Sequence, residues 1–385
     1  MIRDLTDAEA RRALVLKWGT VEPDVIPAWV AEMDYATADV VTEALHAAID
    51  AGQTGYPPFE HGGELGRAYA AWAARQFGHR VDPDHVLPVV DVTAGVRLAL
   101  DVLSDPGPMV MPVPAYSPQL DIAAITGRER RDLVVDPDAD HCAIDLDELD
   151  RLLADGARTL LLTQPHNPWG RVFGRAELEG IRDVVVRHGA RVVSDEIHAP
   201  LVLAGKEHVP YLSLSGTADH AVAVVASSKA FNTAGLKCAQ VVCGDDATLD
   251  RLRSVPMARN DSWSTLGVVA AVAAYTHGDP WLAALRERLD QQRTLLAELL
   301  AQHLPLARMR PLEATYLAWL DLRAYAPGGR DDWDPAAVLL EKGRVKVAPG
   351  HDYHPGTGGH VRLNIATSPE RLAEIVLRTA TALGA

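Results

Sequence analysis

Apolar positions in this chain gather into short, nearly uncharged runs, separated by longer stretches in which they recur every three or four residues. The runs HVLPVV (85–90), PMVMPV (108–113), TLLLTQ (159–164), ARVVSDE (190–196) and HAVAVVA (220–226) are rich in valine and leucine and stay apolar on both alternating faces. Stretches such as AELEGIRDVVVRHG (176–189) carry the helical period between them. Strands apolar on both faces that alternate with helices predict a mainly parallel sheet covered by helices, an α/β fold. From about Asp290 the texture changes to a helix through QQRTLLAELLAQHL, strand-like ATYLAWLDLR, GRVKVAPG and HVRLNIA, and a last helix PERLAEIVLRTATAL. That order predicts a smaller α+β lobe. No repeat or low-complexity tract interrupts the chain, and HDYHPGTGG reads as a loop.

Composition narrows the function classes. With 385 residues the chain exceeds one average domain, and 48% hydrophobic content is that of a globular protein. A formal charge of -15 excludes a nucleic acid or an acidic membrane as the expected partner, because both need a clustered positive face. Cys142, Cys238 and Cys243 show neither a CxxC spacing nor an even count, so no disulfide framework or zinc site is predicted. The start MIRDLTDAEARRAL is charged and lacks an apolar stretch, and no run approaches the ~18 apolar residues of a membrane span. A cytoplasmic protein is expected.

In an open parallel sheet, ligands sit beyond the carboxyl ends of the strands. After HVLPVV, Thr93, Ala94 and Gly95 open a helix whose free N–H groups suit an anion. After PMVMPV, Tyr116 stands in PAYSP, where an aromatic ring can stack on a flat ligand. Asn167 follows TLLLTQ, and Asp195 ends ARVV with His198 three residues on. A carboxylate at the end of an apolar strand needs a cation or a ligand nitrogen. Lys229 follows HAVAVVA among the small residues Ala230, Thr233, Ala234 and Gly235. Anion nest, ring, amide, carboxylate and lysine together suit pyridoxal 5′-phosphate: the lysine forms a Schiff base with its aldehyde, and the carboxylate keeps its pyridine nitrogen protonated. Ser228 and Lys237 would help hold the phosphate.

These residues resemble the fold-type-I, aspartate-aminotransferase-like enzymes, and more narrowly their cystathionine β-lyase (C–S lyase) branch, often called MalY/PatB. The likeness runs through LKWGT, IPAWVAEMDY, GYPPF, HNPWGRVF, SDEIHAPL, SSKAFNTAGLKCAQ, EATYLAWLDL and HVRLNIA. It implies a mainly parallel seven-stranded sheet in a large domain of residues 49–284, with residues 1–48 and 285–385 forming the small domain. It also implies that Lys229 is the Schiff-base lysine, Asp195 the partner of the pyridine nitrogen and Tyr116 the stacking ring. Asn167 would bond the ring's phenolic oxygen, with His198 nearby. Gly95, Val96, Ser228 and Lys237 would hold the phosphate, Tyr56 would reach it from the partner subunit of a homodimer, and Arg362 would clamp the substrate carboxylate. Three residues depart from the pattern: Ala226 where serine is frequent, with Ser227 as a replacement donor, Trp169 where threonine is common, and Ala314 where glycine is usual.

The branch implies β-elimination from a cysteine S-conjugate such as L-cystathionine. Aminotransfer is the alternative, since both reactions begin with loss of the Cα proton and diverge only in where the electron pair goes. A regulatory protein that carries the cofactor is a third reading.

Overall fold

The computed structural model describes residues 2–57, 62–136, 142–329 and 333–385. Its centre is a seven-stranded sheet in the order Val86–Val89, Ala239–Cys243, Ala221–Val225, Arg191–Asp195, Thr159–Thr163, Met109–Val113, Arg130–Val134. Ala239–Cys243 runs antiparallel to both of its neighbours, and the other pairings are parallel. The five apolar runs of the sequence are all strands of this sheet. Two strands escaped that reading. Arg130–Val134 is an edge strand whose Arg130, Arg131 and Asp132 are only half-buried, so its sequence is charged. Ala239–Cys243 follows directly on the loop after Lys229, so its apolar residues read as part of that segment.

Helices cover both faces because each presents an apolar stripe to the strands. Val92–Leu103 packs so closely that a Cβ on Gly95 would lie 2.8 Å from Val224 Cγ1 and 3.1 Å from Val89 Cγ2. Asp91 caps this helix, its Oδ1 accepting the Ala94 N–H at 2.9 Å.

The second lobe is a four-stranded antiparallel sheet, Ala348–Pro349, His360–Asn364, Leu317–Asp321, Arg308–Met309, backed by helix Pro369–Leu383. Helix Asp279–His303 runs from one lobe into the other. One apolar cluster joins Tyr69, Trp72, Phe231 and Tyr275 to Leu317, Leu363 and Ile375, so the lobes share a core. The segment after the short parallel pair Ile26–Pro27 and Val345–Lys346 continues as an irregular strap, residues 28–34, between them.

Candidate active site

The parallel register sets the strand ends level: Thr163 pairs with Asp195, and Asp195 with Val224. A cavity opens beyond them, lined by Asp91, Val92, Thr93, Tyr116, Gln119, Thr163, Asn167, Asp195, His198, Ser228, Lys229 and Lys237, among others. Seven of the site residues expected from the sequence therefore meet in one place: Tyr116, Asn167, Asp195, His198, Ser228, Lys229 and Lys237.

Asp195 is 3% exposed. Its Oδ1 accepts the Ile197 N–H at 3.1 Å and its Oδ2 accepts from Gln119 Nε2 at 2.5 Å. Burial pushes the carboxyl up to about 6, although both hydrogen bonds and nearby Lys229 favour the charged form. Among the described residues its side chain makes no ion pair, so its charge is left for whatever enters the cavity.

Lys229 is the second residue of a four-residue helix, Ser228–Phe231, separated by two residues from the end of strand Ala221–Val225. Its Nζ donates to Ala31 O of the strap at 3.1 Å. Burial, then the nearby Arg362 charge, pulls the amine down to about 8, so a sizeable fraction is neutral near physiological pH. His198 is buried and held at about 3, mainly by burial, and is therefore neutral.

Arg362 comes from the other lobe. Strand His360–Asn364 pairs Trp319 with Arg362, while Val361 and Leu363 turn into the shared core. Arg362 is 5% exposed; its Nη1 donates to Asn167 Oδ1 at 3.1 Å, its Nη2 to Trp29 O at 2.9 Å, and its Nε has no partner. The guanidinium also lies 5.1 Å from the Tyr353 ring centroid. Among the described residues no carboxylate pairs with it.

At the far end of the cavity, Lys237 Nζ meets Asp91 Oδ2 at 3.0 Å, beside the N-terminus of Val92–Leu103. Gly95 and Val96 do not line the cavity. The Gly95 N–H is already given to Asp91 O at 3.0 Å, and Val96 is fully buried beneath the helix. Val92 and Thr93 present that helix start to the cavity instead. Tyr56 is 90% exposed and lies in a separate surface cleft with Trp263 and Thr265; Pro58 and Phe59 of the same GYPPF stretch lie outside the described residues.

The departures find places. Ala226 and Ser227 are both buried and neither lines the cavity. Trp169 stacks on His166 with ring centroids 3.8 Å apart, in a cluster with Trp319 and Tyr353. Ala314 has no left-handed backbone, which falls on the next residue, Thr315, at φ 68°.

Sequence reasoning missed three features. Gln119 lies six residues beyond the run PMVMPV, and Asp91, directly after HVLPVV, is overshadowed by the helix-opening residues that follow it. Five consecutive strap carbonyls, Trp29 to Met33, each accept from a side chain: Arg362, Asn364, Lys229 with Tyr316, Asn364 with Lys17, and Asn232. An irregular segment has no ladder to satisfy its carbonyls, and the side chains around the cavity supply the donors.

The residues fit pyridoxal 5′-phosphate on their chemistry: a lysine able to lose its proton, an ionisable carboxyl without a counter-ion, and a helix N-terminus with Ser228 and Lys237 for the phosphate. Asp91 is the one group there of the same sign as a phosphate.

The aminotransferase class I and II family profile matches residues 24–378. A cystathionine beta-lyase of Corynebacterium glutamicum is 34% identical over 97% of this chain and 98% of its own length. Among solved structures, the PLP-bound C–S lyase from Staphylococcus hominis superimposes with a TM-score of 0.89 at 26% identity, covering 99% of this chain and 98% of that one. N-succinyldiaminopimelate aminotransferase from Mycobacterium tuberculosis does so with a TM-score of 0.84 at 27% identity, covering 92% of each.

Proposed function

The chain belongs to the aminotransferase class I and II family, and from that premise we propose that it is a pyridoxal 5′-phosphate-dependent C–S β-lyase. Its substrate would be L-cystathionine or a related cysteine S-conjugate, cleaved to pyruvate, ammonia and a thiol. The observation that carries this reading is Arg362: a buried guanidinium without a counter-ion, bonded to Asn167 of the cofactor cavity, is a receptor for an α-carboxylate.

When bound, the cofactor supplies an aldehyde for amines and a ring that accepts the electron pair left at Cα. The rest of the chemistry falls to residues of the chain. Tyr116 would stack on the cofactor's ring, Asn167 and His198 would bond or flank it, and Ser228, Lys237 and the start of helix Val92–Leu103 would hold its phosphate. Asp195 would pair with the pyridine nitrogen and keep it protonated. Two donors of Arg362 fix the position and rotation of the amino acid, which turns its Cα–H bond toward Lys229. The lowered pKa of Lys229 equips it to take that proton as a base. The thiolate then leaves Cβ, and water completes the release of pyruvate and ammonia.

The same reading divides the chain into a large domain, residues 49–284, and a small one, residues 1–48 with 285–385. It makes the working unit a cytoplasmic homodimer in which Tyr56 reaches the partner's phosphate. One observation supports the shared site: Tyr56 is left open by its own chain.

A panel of cysteine S-conjugates, with pyruvate, thiol and amino-group transfer read separately, tests the proposal. Pyruvate and thiol are expected without any added keto acid. Rapid exchange with keto acids and no thiol from any conjugate would replace the lyase by an aminotransferase.

A further inference from the structure

We propose that Gln119 is a positioning residue for Asp195, orienting its carboxylate toward the ligand, and that Thr163 fixes Gln119 for that task. The proposal rests on the reading of Asp195 as the partner of the cofactor's pyridine nitrogen.

Gln119 is 1% exposed and lines the cavity from the short helix Ser117–Leu120. Its Nε2 is 2.5 Å from Asp195 Oδ2, and its Oε1 is 2.9 Å from Thr163 Oγ1. An ionised carboxylate only accepts, so the amide must turn its Nε2–H toward Asp195. The Thr163 hydroxyl then donates to Oε1, which favours that orientation over the flipped one. Thr163 stands opposite Asp195 in the parallel register, so both ends of the chain Thr163–Gln119–Asp195 are anchored on neighbouring strands. The Gln119 backbone N–H is bound to Tyr116 O at 2.8 Å, which ties the same turn to the stacking ring.

A neutral donor is the suitable partner here. A lysine or arginine at this position would neutralise Asp195 and compete with a cationic nitrogen, whereas an apolar residue would leave burial unopposed and let the carboxyl keep its proton. An amide stabilises the charge without cancelling it. Burial already raises Asp195, and among the described residues Gln119 is one of two hydrogen-bond donors acting against that rise.

The test uses the cofactor-loaded protein and two variants, Gln119→Met, which keeps the length and loses the donor, and Thr163→Val, which leaves the amide but frees it to turn. Two quantities are read: the cofactor dissociation constant, from its visible absorbance on dilution, and the pH profile of kcat/KM. Gln119→Met is expected to weaken cofactor binding about tenfold or more, the size of one hydrogen bond to a charged group. It should also move the acid limb of the profile to higher pH, because an Asp195 stripped of a donor protonates more readily. Thr163→Val should shift both in the same direction by less. A purely structural Gln119 would lower thermal stability and leave the acid limb in place, and that result would overturn the proposal. If Gln119→Met does not fold, Thr163→Val decides: wild-type values for both quantities would overturn it. The binding arm needs no substrate, so it stands whichever reaction the substrate panel returns. A wild-type protein that retains no cofactor would sink the site reading and this proposal together.

Discussion

At Asp195 folding and function pull in opposite directions. The carboxyl is pushed up to about 6 against an ordinary value near 3.8, and the largest cause is burial. An acid raised on folding holds its proton more tightly in the folded chain than in the unfolded one. The resulting penalty is absent below about pH 4, grows between the two values and is complete above about pH 6. At that point it amounts to roughly 3 kcal/mol. The cofactor-free protein should therefore lose stability as pH rises through this window, and a cationic ligand nitrogen should restore it. Asp195→Asn keeps an acceptor for the Ile197 N–H and removes the charge. In the cofactor-free state at pH 8 it should melt a few degrees above wild type, with the gap closing toward pH 4. The same substitution should lower kcat by orders of magnitude in the loaded enzyme. Paired melting curves at the two pH values check the first part, and an Asn variant less stable than wild type at pH 8 would contradict it.

Helix Val92–Leu103 owes its position to Gly95, where the backbone comes too close to Val224 and Val89 to admit a side chain. Gly95→Ala should push the helix off the sheet by a few tenths of an ångström. Overpacking of this kind costs about 1–3 kcal/mol, and it would displace the helix start from the phosphate end of the cavity. Lower thermal stability together with weaker cofactor retention is the expected result, and unchanged retention would separate the helix from the phosphate. This glycine also marks what the sequence could and could not convey. A glycine opening a helix after an apolar run was a legible sign of a strand-to-helix turn, yet its cause is contact with a distant strand, Ala221–Val225, which no local pattern encodes. Asn167, Asp195 and Lys229 were legible because a polar residue that ends a buried strand breaks an obvious run. Gln119 was not, since it lies in a short helix after a proline-rich turn and gains its meaning only from the register that sets Thr163 beside Asp195. The strap of residues 28–34 has no periodicity at all, and most of its carbonyls find their partners on residues far along the chain, among them Asn232, Arg362 and Asn364.

The whole molecule raises the question of whether one chain makes a complete site. Tyr56, the residue expected at the phosphate, is 90% exposed and points into a surface cleft beside Trp263 rather than into its own cavity. A tyrosine left so open on a Tyr-Pro turn is what a two-fold dimer would cover, since an isologous interface offers each chain's Tyr56 to the other's site. Subunit mixing separates a shared site from two independent ones. Tyr56→Ala chains and Lys229→Ala chains should each be nearly inactive as pure dimers, the first through loss of a phosphate contact and the second through loss of the base. Unfolded and refolded together in equal amounts, half of the dimers would be hybrids. If Tyr56 acts across the interface, each hybrid carries one site with both substitutions and one with neither, so about a quarter of all sites should be wild type. If Tyr56 serves its own chain, every site in the hybrid keeps one defect. Recovery of about a quarter of the wild-type activity on mixing would establish a shared site. No recovery, with hybrids demonstrated by mass, would place Tyr56 outside the partner's cavity.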